Sequence, residues 1–418
     1  MSEFVIRGGT PLHGECVVQG SKNSVLPILA ASLLVNGETL VHNCPRIRDV
    51  DCALEILRAL GCRARQQGSD IYIDSRTLSG TQIPDDLMKR MRSSVLFAGA
   101  LLARTGSVRF SGPGGCCLGE RPIDYHLNAL RELGVELLWD GTHYLCSAKK
   151  LRGTELALPF PSVGATENAI LAACAAEGTT VLLGAAREPE IADLADFLHR
   201  VGFSVHGAGG STLIAAGGKS AGFVEYTVRG DRIAAGTILC AAAASGGTVT
   251  VEGVDAERLS TLIGRFTEMG LAVRLWPDAV SVASRGRPAA LSPVETAPYP
   301  GFSTDLQPPL LALACFASGE SVFVENIFES RYNHIEGLLR MGAQITKLDR
   351  IARVQGAEAL HGAQVQALDL RAGAGLLTAA LGAQGETVIR DRGDIDRGYE
   401  PVEKTFSTLG AEITRKES

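Results

Sequence analysis

The chain has no C-x-x-C pair, no apolar run approaching the ~20 residues that a membrane-crossing helix needs, and no basic flank and apolar core at its start, MSEFVIRGGT. These absences argue against a cysteine-clamped zinc site, a membrane span and a secretory leader, and they predict a cytoplasmic location. Aromatic residues make up only 5% of a chain that is 45% hydrophobic, so the core must be aliphatic, and 418 residues suffice for two or three domains. Neither G-x-G-x-x-G nor the P-loop pattern occurs, which argues against dinucleotide or triphosphate hydrolysis chemistry. Positive charge is not in excess either. A net charge of −6 provides no field to draw in nucleic acid or an anionic membrane, so neither is expected as a partner, and an anionic ligand must be held by a local basic cluster. No metal-ligand spacing appears among the ten cysteines and eight histidines.

What the chain does have is repetition. An apolar helix, a Gly-containing turn, a strand of alternating residues, a second helix closed by Gly and a further strand recur through its whole length. The copies begin VLPILAASLLVNGETLVHN, VLFAGALLARTGSVRFSG, NAILAACAAEGTTVLLGA, IAAGTILCAAAASGGTVTVEG, LLALACFASGESVFVEN and GLLTAALGAQGETVIRD. Their closing glycines are Gly61, Gly134, Gly202, Gly270, Gly342 and Gly410, each placed to end a helix in a left-handed conformation. Each copy reads as β-α-β-α-β-β, an α/β unit with its own sheet and helix layer, which favours a closed globular arrangement over a solenoid. The leading helices are apolar nearly all round and are therefore expected to be buried. Cys174 and Cys240 fall inside such runs and are expected to act as small apolar fillers.

Immediately before each apolar run stand polar or charged residues: Lys22 and Asn23, Arg92 and Ser93, Ser162 with Thr166, Asp231 and Arg232, Thr304 and Asp305, Asp369 and Arg371. Serine, threonine and aspartate there are explained by N-capping. Lysine and arginine are not, because a cation at the positive end of a helix costs about 0.3–1 kcal/mol. Their recurrence predicts anions at these helix ends, where phosphate is readily bound.

With these residues placed, QGSKNSVLPILAASLL, PGGCCLGERPIDYH, AAREPEI, TDLQPPLLAL, FESRYNHIEGLLRMGA, ALDLRAGAGLL and DIDRGYEPVEK together resemble the enolpyruvyl transferases, and within them the nucleotide-sugar branch, over nearly the entire chain. The resemblance implies a two-globule inside-out α/β barrel. One globule is expected over residues 22–229 and the other over 1–21 and 230–418, with the helix ends facing an active site in the cleft between them. It also implies transfer of the enolpyruvyl group of phosphoenolpyruvate to the 3′-hydroxyl of UDP-N-acetylglucosamine with release of phosphate, the first committed step of peptidoglycan precursor synthesis. The reaction is an addition followed by elimination through a tetrahedral ketal. It needs an acid and a base, and no cofactor or metal.

By the same resemblance Cys116, in the Pro-Gly-Gly-Cys loop, is the acid, and a nucleophile toward phosphoenolpyruvate is the alternative role. A free thiol near pKa 8.5 can donate a proton at neutral pH, whereas neighbouring guanidiniums favour the thiolate. Cys117 occupies a variable position. Its Gly/Pro-rich surroundings read as a surface loop. Asp305 corresponds to the base, with positioning of the 3′-hydroxyl during proton exchange as the alternative role. Lys22, Arg121 and Arg397 correspond to the cradle for the phosphate and carboxylate of phosphoenolpyruvate, Arg92, Arg331 and Arg371 to further charges, and Asn23 and Asp369 to polar contacts. The nucleotide sugar is expected against Arg121, Pro122, Ile123, Asp124 and Tyr125, against Ser162, Val163 and Gly164, and against Ile327. Leu96, Ser303 and Asp394 depart from the residues common in the family, where an aromatic, a proline and a histidine are frequent. The competing readings are the shikimate 3-phosphate branch, which shares the architecture, and a non-catalytic nucleotide-sugar binder.

Overall fold

The computed structural model describes residues 2–114, 118 and 122–417. These residues form two compact units, the first from residues 1–19 and 230–418 with Leu118, the second from the rest of 20–229. Six apolar helices define them. Helices α1 (Lys22–Ala31), α2 (Leu96–Thr105) and α3 (Val163–Ala173) belong to the second unit. Helices α4 (Arg232–Ala244), α5 (Gln307–Ala314) and α6 (Leu370–Gly382) belong to the first. Having no polar face, they cannot lie on a surface. In each unit the three pack on one another at the centre, and the amphipathic helices, such as Arg48–Ala59 and Pro189–Val201, lie farther out.

The sheets complete the inside-out plan. In the first unit strand His13–Val17 runs parallel to Thr248–Glu252, which pairs with Ala279–Ala283 and through it with Ala272–Trp276. Val294–Glu295, Glu320–Val324, Ile351–Gln355 and Gln344–Leu348 repeat that order. In the second unit Phe223–Thr227, Glu38–His42, Asp70–Asp74 and Arg63–Gln67 do the same, as do Glu155–Ala157, Thr179–Leu183, Thr212–Ala216 and Ser204–His206. One sheet has three strands, and the parallel bridge Gln82–Arg109 stands where the others carry their leading strand. Five of the six repeats are thus β-α-β-α-β-β, as the sequence pattern predicts, and in the remaining one the bridge replaces the leading strand. All six closing glycines adopt left-handed φ angles, from 77° at Gly270 to 108° at Gly202, which explains why glycine punctuates each copy.

Three repeats borrow strands from distant sequence, the first being that of α4, which His13–Val17 leads. Phe223–Thr227 leads the repeat of α1, and Ser2–Gly8 lies between Gly385–Asp391 and Glu412–Glu417 as the closing strand of the last repeat. The chain therefore passes between the units twice, at Gln19–Gly20 and at Arg229–Gly230. The two passages run side by side, the Ser21 amide donating to the Arg229 carbonyl at 2.8 Å and the Asp231 amide to the Gln19 carbonyl at 2.9 Å. Among the described residues no helix is long and apolar enough to cross a membrane.

Candidate functional site

In the first unit the polar ends of α5 and α6 converge on Asp305. Its side chain does not cap α5. The cap position is Leu306, with no side-chain hydrogen bond, and Asp305 instead pairs one oxygen with the Arg331 guanidinium and the other with Arg371 Nη2 at 3.0 Å. Both arginines are buried. Arg331 also donates from Nε to the Thr304 carbonyl at 2.9 Å, and Arg371 donates from Nη1 to the Tyr399 hydroxyl at 3.0 Å. Burial alone would lower the Arg371 pKa, but Asp305 foremost, with Tyr399 and Asp231, carries it above the ordinary arginine value. Asp369 caps α6 by accepting from the Arg371 and Ala372 amides at 2.9 Å, and its other oxygen accepts from Asn333 at 2.9 Å.

A buried glutamate ties Asp305 to Ile327. Glu325 accepts from the Thr304 hydroxyl at 3.0 Å and, through Oε1, from the Ile327 and Phe328 amides at 2.9 and 3.0 Å. Arg397 lies in the single turn Ile395–Arg397, packed near α6, with its guanidinium 3.9 Å from the Asp394 carboxylate. Of the positions that depart from the family pattern, Asp394 therefore places a negative charge beside Arg397. Ser303 accepts from the Asp305 amide at 3.3 Å, and Leu96 is core.

In the second unit Lys22, the first residue of α1, forms a buried ion pair of 2.8 Å with Asp49. The anion predicted at this helix end thus has a counterpart within the chain, as Arg371 has in Asp305. Asn23 is half-buried on the same turn, and Ser21 caps α1. Arg92 donates to the Pro122 carbonyl at 3.0 Å, next to Ile123, Asp124 and Tyr125 at the start of the helix Asp124–Glu132. That helix meets α3 where the His126 ring lies against Gly164, beside Val163 and the capping Ser162. The structure thus brings Asp305, Arg331, Arg371 and Asp369 together in one unit, and Arg92, residues 122–125 and residues 162–164 in the other. Cys116, Cys117 and Arg121 lie outside the described residues. Among the described residues no group of histidine, cysteine, aspartate or glutamate side chains is arranged to hold a metal ion.

Sequence reasoning singled out Thr304 only as a polar residue before an apolar run, and it missed Tyr399, Asn333, Glu325 and Glu167, although the quoted segments contain the first two. Glu167 lies on α3, wholly buried, and its pKa is raised well above the carboxylate range, by desolvation first and then by Glu190 and Glu188. An acid whose folded pKa exceeds its unfolded value destabilises the fold as pH rises past about 4.3. Glu167→Gln is therefore expected to raise the melting temperature by a few degrees at pH 8 and to leave it unchanged at pH 4. Equal shifts at both pH values, read by calorimetry, would contradict that account.

Six buried helices in two triplets, with the polar ends of two helices of one triplet meeting at a doubly clamped aspartate, define the scaffold of an enolpyruvyl transferase. The family model described as EPSP synthase (3-phosphoshikimate 1-carboxyvinyltransferase) matches residues 6–406, and the chain belongs to this family. Within it the chain is 46% identical, over 415 residues, to the UDP-N-acetylglucosamine 1-carboxyvinyltransferase 2 of Caldanaerobacter subterraneus subsp. tengcongensis, covering 99% of this chain and all of that relative. It is 47% identical over 418 residues to the UDP-N-acetylglucosamine 1-carboxyvinyltransferase 1 of Symbiobacterium thermophilum, covering 99% and 95%. Among solved structures, the enolpyruvyl transferase NikO from Streptomyces tendae superposes with a TM-score of 0.91 at 26% identity, over 100% of this chain and 99% of that one. EPSP synthase from Acinetobacter baumannii, at 20% identity and a TM-score of 0.75 over the whole of both chains, shares the fold.

Proposed function

We propose that this chain transfers the enolpyruvyl group of phosphoenolpyruvate to the 3′-hydroxyl of UDP-N-acetylglucosamine, releasing phosphate, as the first committed step of peptidoglycan precursor synthesis. The observation that carries the reading is the 46% and 47% identity, over essentially the full length, to relatives named for that nucleotide sugar.

In the addition step Asp305 accepts the proton of the 3′-hydroxyl as its oxygen attacks C2 of phosphoenolpyruvate, and Cys116 delivers a proton to C3. The product is a tetrahedral ketal. In the elimination step the Cys116 thiolate takes a proton from C3, the C2–C3 double bond re-forms, and the C2–O bond to phosphate breaks as phosphate departs with the bonding pair. Arg331 and Arg371 hold the Asp305 carboxylate in one orientation, so no reorganisation is needed when the hydroxyl arrives. Lys22, Arg121 and Arg397 hold the phosphate and carboxylate of phosphoenolpyruvate and offset the charge that develops on the leaving group. Arg92 positions residues 122–125 for the nucleotide, which also meets residues 162–164 and Ile327.

Phosphate release, measured with phosphoenolpyruvate and each acceptor in turn, tests the reading. Turnover is expected with UDP-N-acetylglucosamine. Turnover with shikimate 3-phosphate alone, the substrate class in the family model's description, would overturn it.

A further inference from the structure

The residue at the first passage between the units has a side chain as engaged as its backbone. Gln19 Nε2 donates to the Gly398 carbonyl at 2.9 Å, and its Oε1 accepts from the Glu400 amide at 2.7 Å. The amide group thus pairs with residues 398–400 as a neighbouring strand would, using both of its polar atoms on backbone 379 and 381 positions away. Its own carbonyl accepts from the Asp231 amide at 2.9 Å, on the second passage. Arg397 directly precedes the clamped segment, and Tyr399 lies at its centre.

Elsewhere the segment is held by short-range backbone bonds, the Gly398 and Tyr399 amides both donating to the Ile395 carbonyl at 3.1 Å, and by the Tyr399 side chain. Arg397 ends a single short turn held by weak i→i+3 bonds, 3.2 Å from its own amide to the Asp394 carbonyl. On one side Gly398 abuts Leu370, where a Cβ would come within 2.6 Å of a leucine methyl, so the backbone cannot move inward. On another a cavity of about 50 Å³, lined in part by Gln19, Thr237, Tyr399, Glu400 and Val402, leaves room to relax. Tyr399 shares a hydrogen bond with Thr237 at 2.9 Å and receives one from Arg371, which in turn holds Asp305. Releasing the clamp therefore removes two bonds from the backbone that directly follows Arg397.

We infer that Gln19 is a positioning residue for Arg397: its side-chain amide sets the 398–400 backbone, and with it the guanidinium proposed to bind phosphoenolpyruvate. The inference rests on the reading of Arg397 given above. It predicts a selective effect, because the clamped segment directly follows Arg397, which is assigned to phosphoenolpyruvate, whereas the nucleotide sugar is assigned to residues 122–125, 162–164 and 327.

The test is steady-state kinetics of Gln19→Ala and Gln19→Glu beside the unaltered chain, with amide hydrogen exchange on the same proteins. In Gln19→Ala the KM for phosphoenolpyruvate is expected to rise about tenfold or more, with the KM for UDP-N-acetylglucosamine within about twofold of the original. Faster exchange is expected at the Glu400 amide. Gln19→Glu keeps the acceptor for Glu400 but sets an oxygen against the Gly398 carbonyl, and is expected to shift the same KM while the fold is retained. An unchanged phosphoenolpyruvate KM in both variants, or an equal rise in both substrates' KM values, overturns the inference. If the unaltered chain turns over neither substrate pair, the functional reading fails instead, and exchange at Glu400 still reports whether the clamp exists.

Discussion

Cys116→Ala is expected to abolish phosphate release, by roughly 10²–10⁴-fold as for loss of a positioned proton donor, while UDP-N-acetylglucosamine binds within about threefold of its original affinity. The separation follows from the chemistry. The thiol is proposed to act on phosphoenolpyruvate, and the nucleotide sugar is assigned to residues 122–125, 162–164 and 327, which alanine at position 116 leaves intact. Phosphate release and calorimetric titration on one preparation check both halves, and full turnover by the variant would remove Cys116 from the mechanism. Alkylation provides a second view. Burial pushes the Cys16 and Cys62 thiols up to about 11, and those of Cys146, Cys174 and Cys315 up to about 12. Cys44 and Cys240 are pushed up further, again by burial. Thiolate is the reactive form, so rapid labelling by an epoxide or iodoacetamide near neutral pH should fall on the loop at 116–117 and be lost there in Cys116→Ala. Label retained on Cys117 in that variant would transfer the role to the neighbour.

The second large effect belongs to Asp305. Asp305→Asn is nearly isosteric, yet it removes the charge facing two buried guanidiniums, Arg331 and Arg371. Breaking a buried pair from one side costs about 3–5 kcal/mol, because the remaining charge is left uncompensated. The variant is therefore expected to lose both stability, read by denaturant unfolding, and about 10²-fold or more in turnover. The two losses can be separated. Adding Arg371→Met to Asp305→Asn relieves one uncompensated charge, so the double variant should recover part of the stability, with a coupling of about 0.5–3 kcal/mol, and none of the turnover. Recovered turnover in the double variant would mean that Asp305 serves the fold and not the reaction.

Much of the architecture was legible because it is written locally. A helix apolar on every side must be buried wherever it occurs, and a glycine that ends a helix signals a left-handed residue whatever surrounds it. Repeating both signals six times announced buried helices in a closed globular arrangement, and the inside-out plan came from the family resemblance. The identity of the charged tips was legible on the same grounds, but their partners were not. The Asp305 pairs span 26 and 66 residues, and no periodicity links positions that far apart. The basic residues at helix ends suggested external anions, whereas Lys22 and Arg371 already face Asp49 and Asp305. Glu325 and Glu167 gave no sign at all, since a glutamate in a helix or at a strand end is usually solvated, and only the packing of distant segments removes these two from water. The borrowed strands were invisible for a similar reason: Ser2–Gly8 and His13–Val17 look like an ordinary hairpin, yet each joins a different sheet.

The placement of Ser2–Gly8 between Gly385–Asp391 and Glu412–Glu417 has a consequence for how the protein is made. Residues 20–229 hold every strand of the second unit's sheets, so that unit can fold while the remainder is still on the ribosome. Ser2–Gly8 must instead wait, unpaired, until Gly385–Asp391 emerges. Its exposed edge through that interval is the stretch of nascent chain most in need of a chaperone.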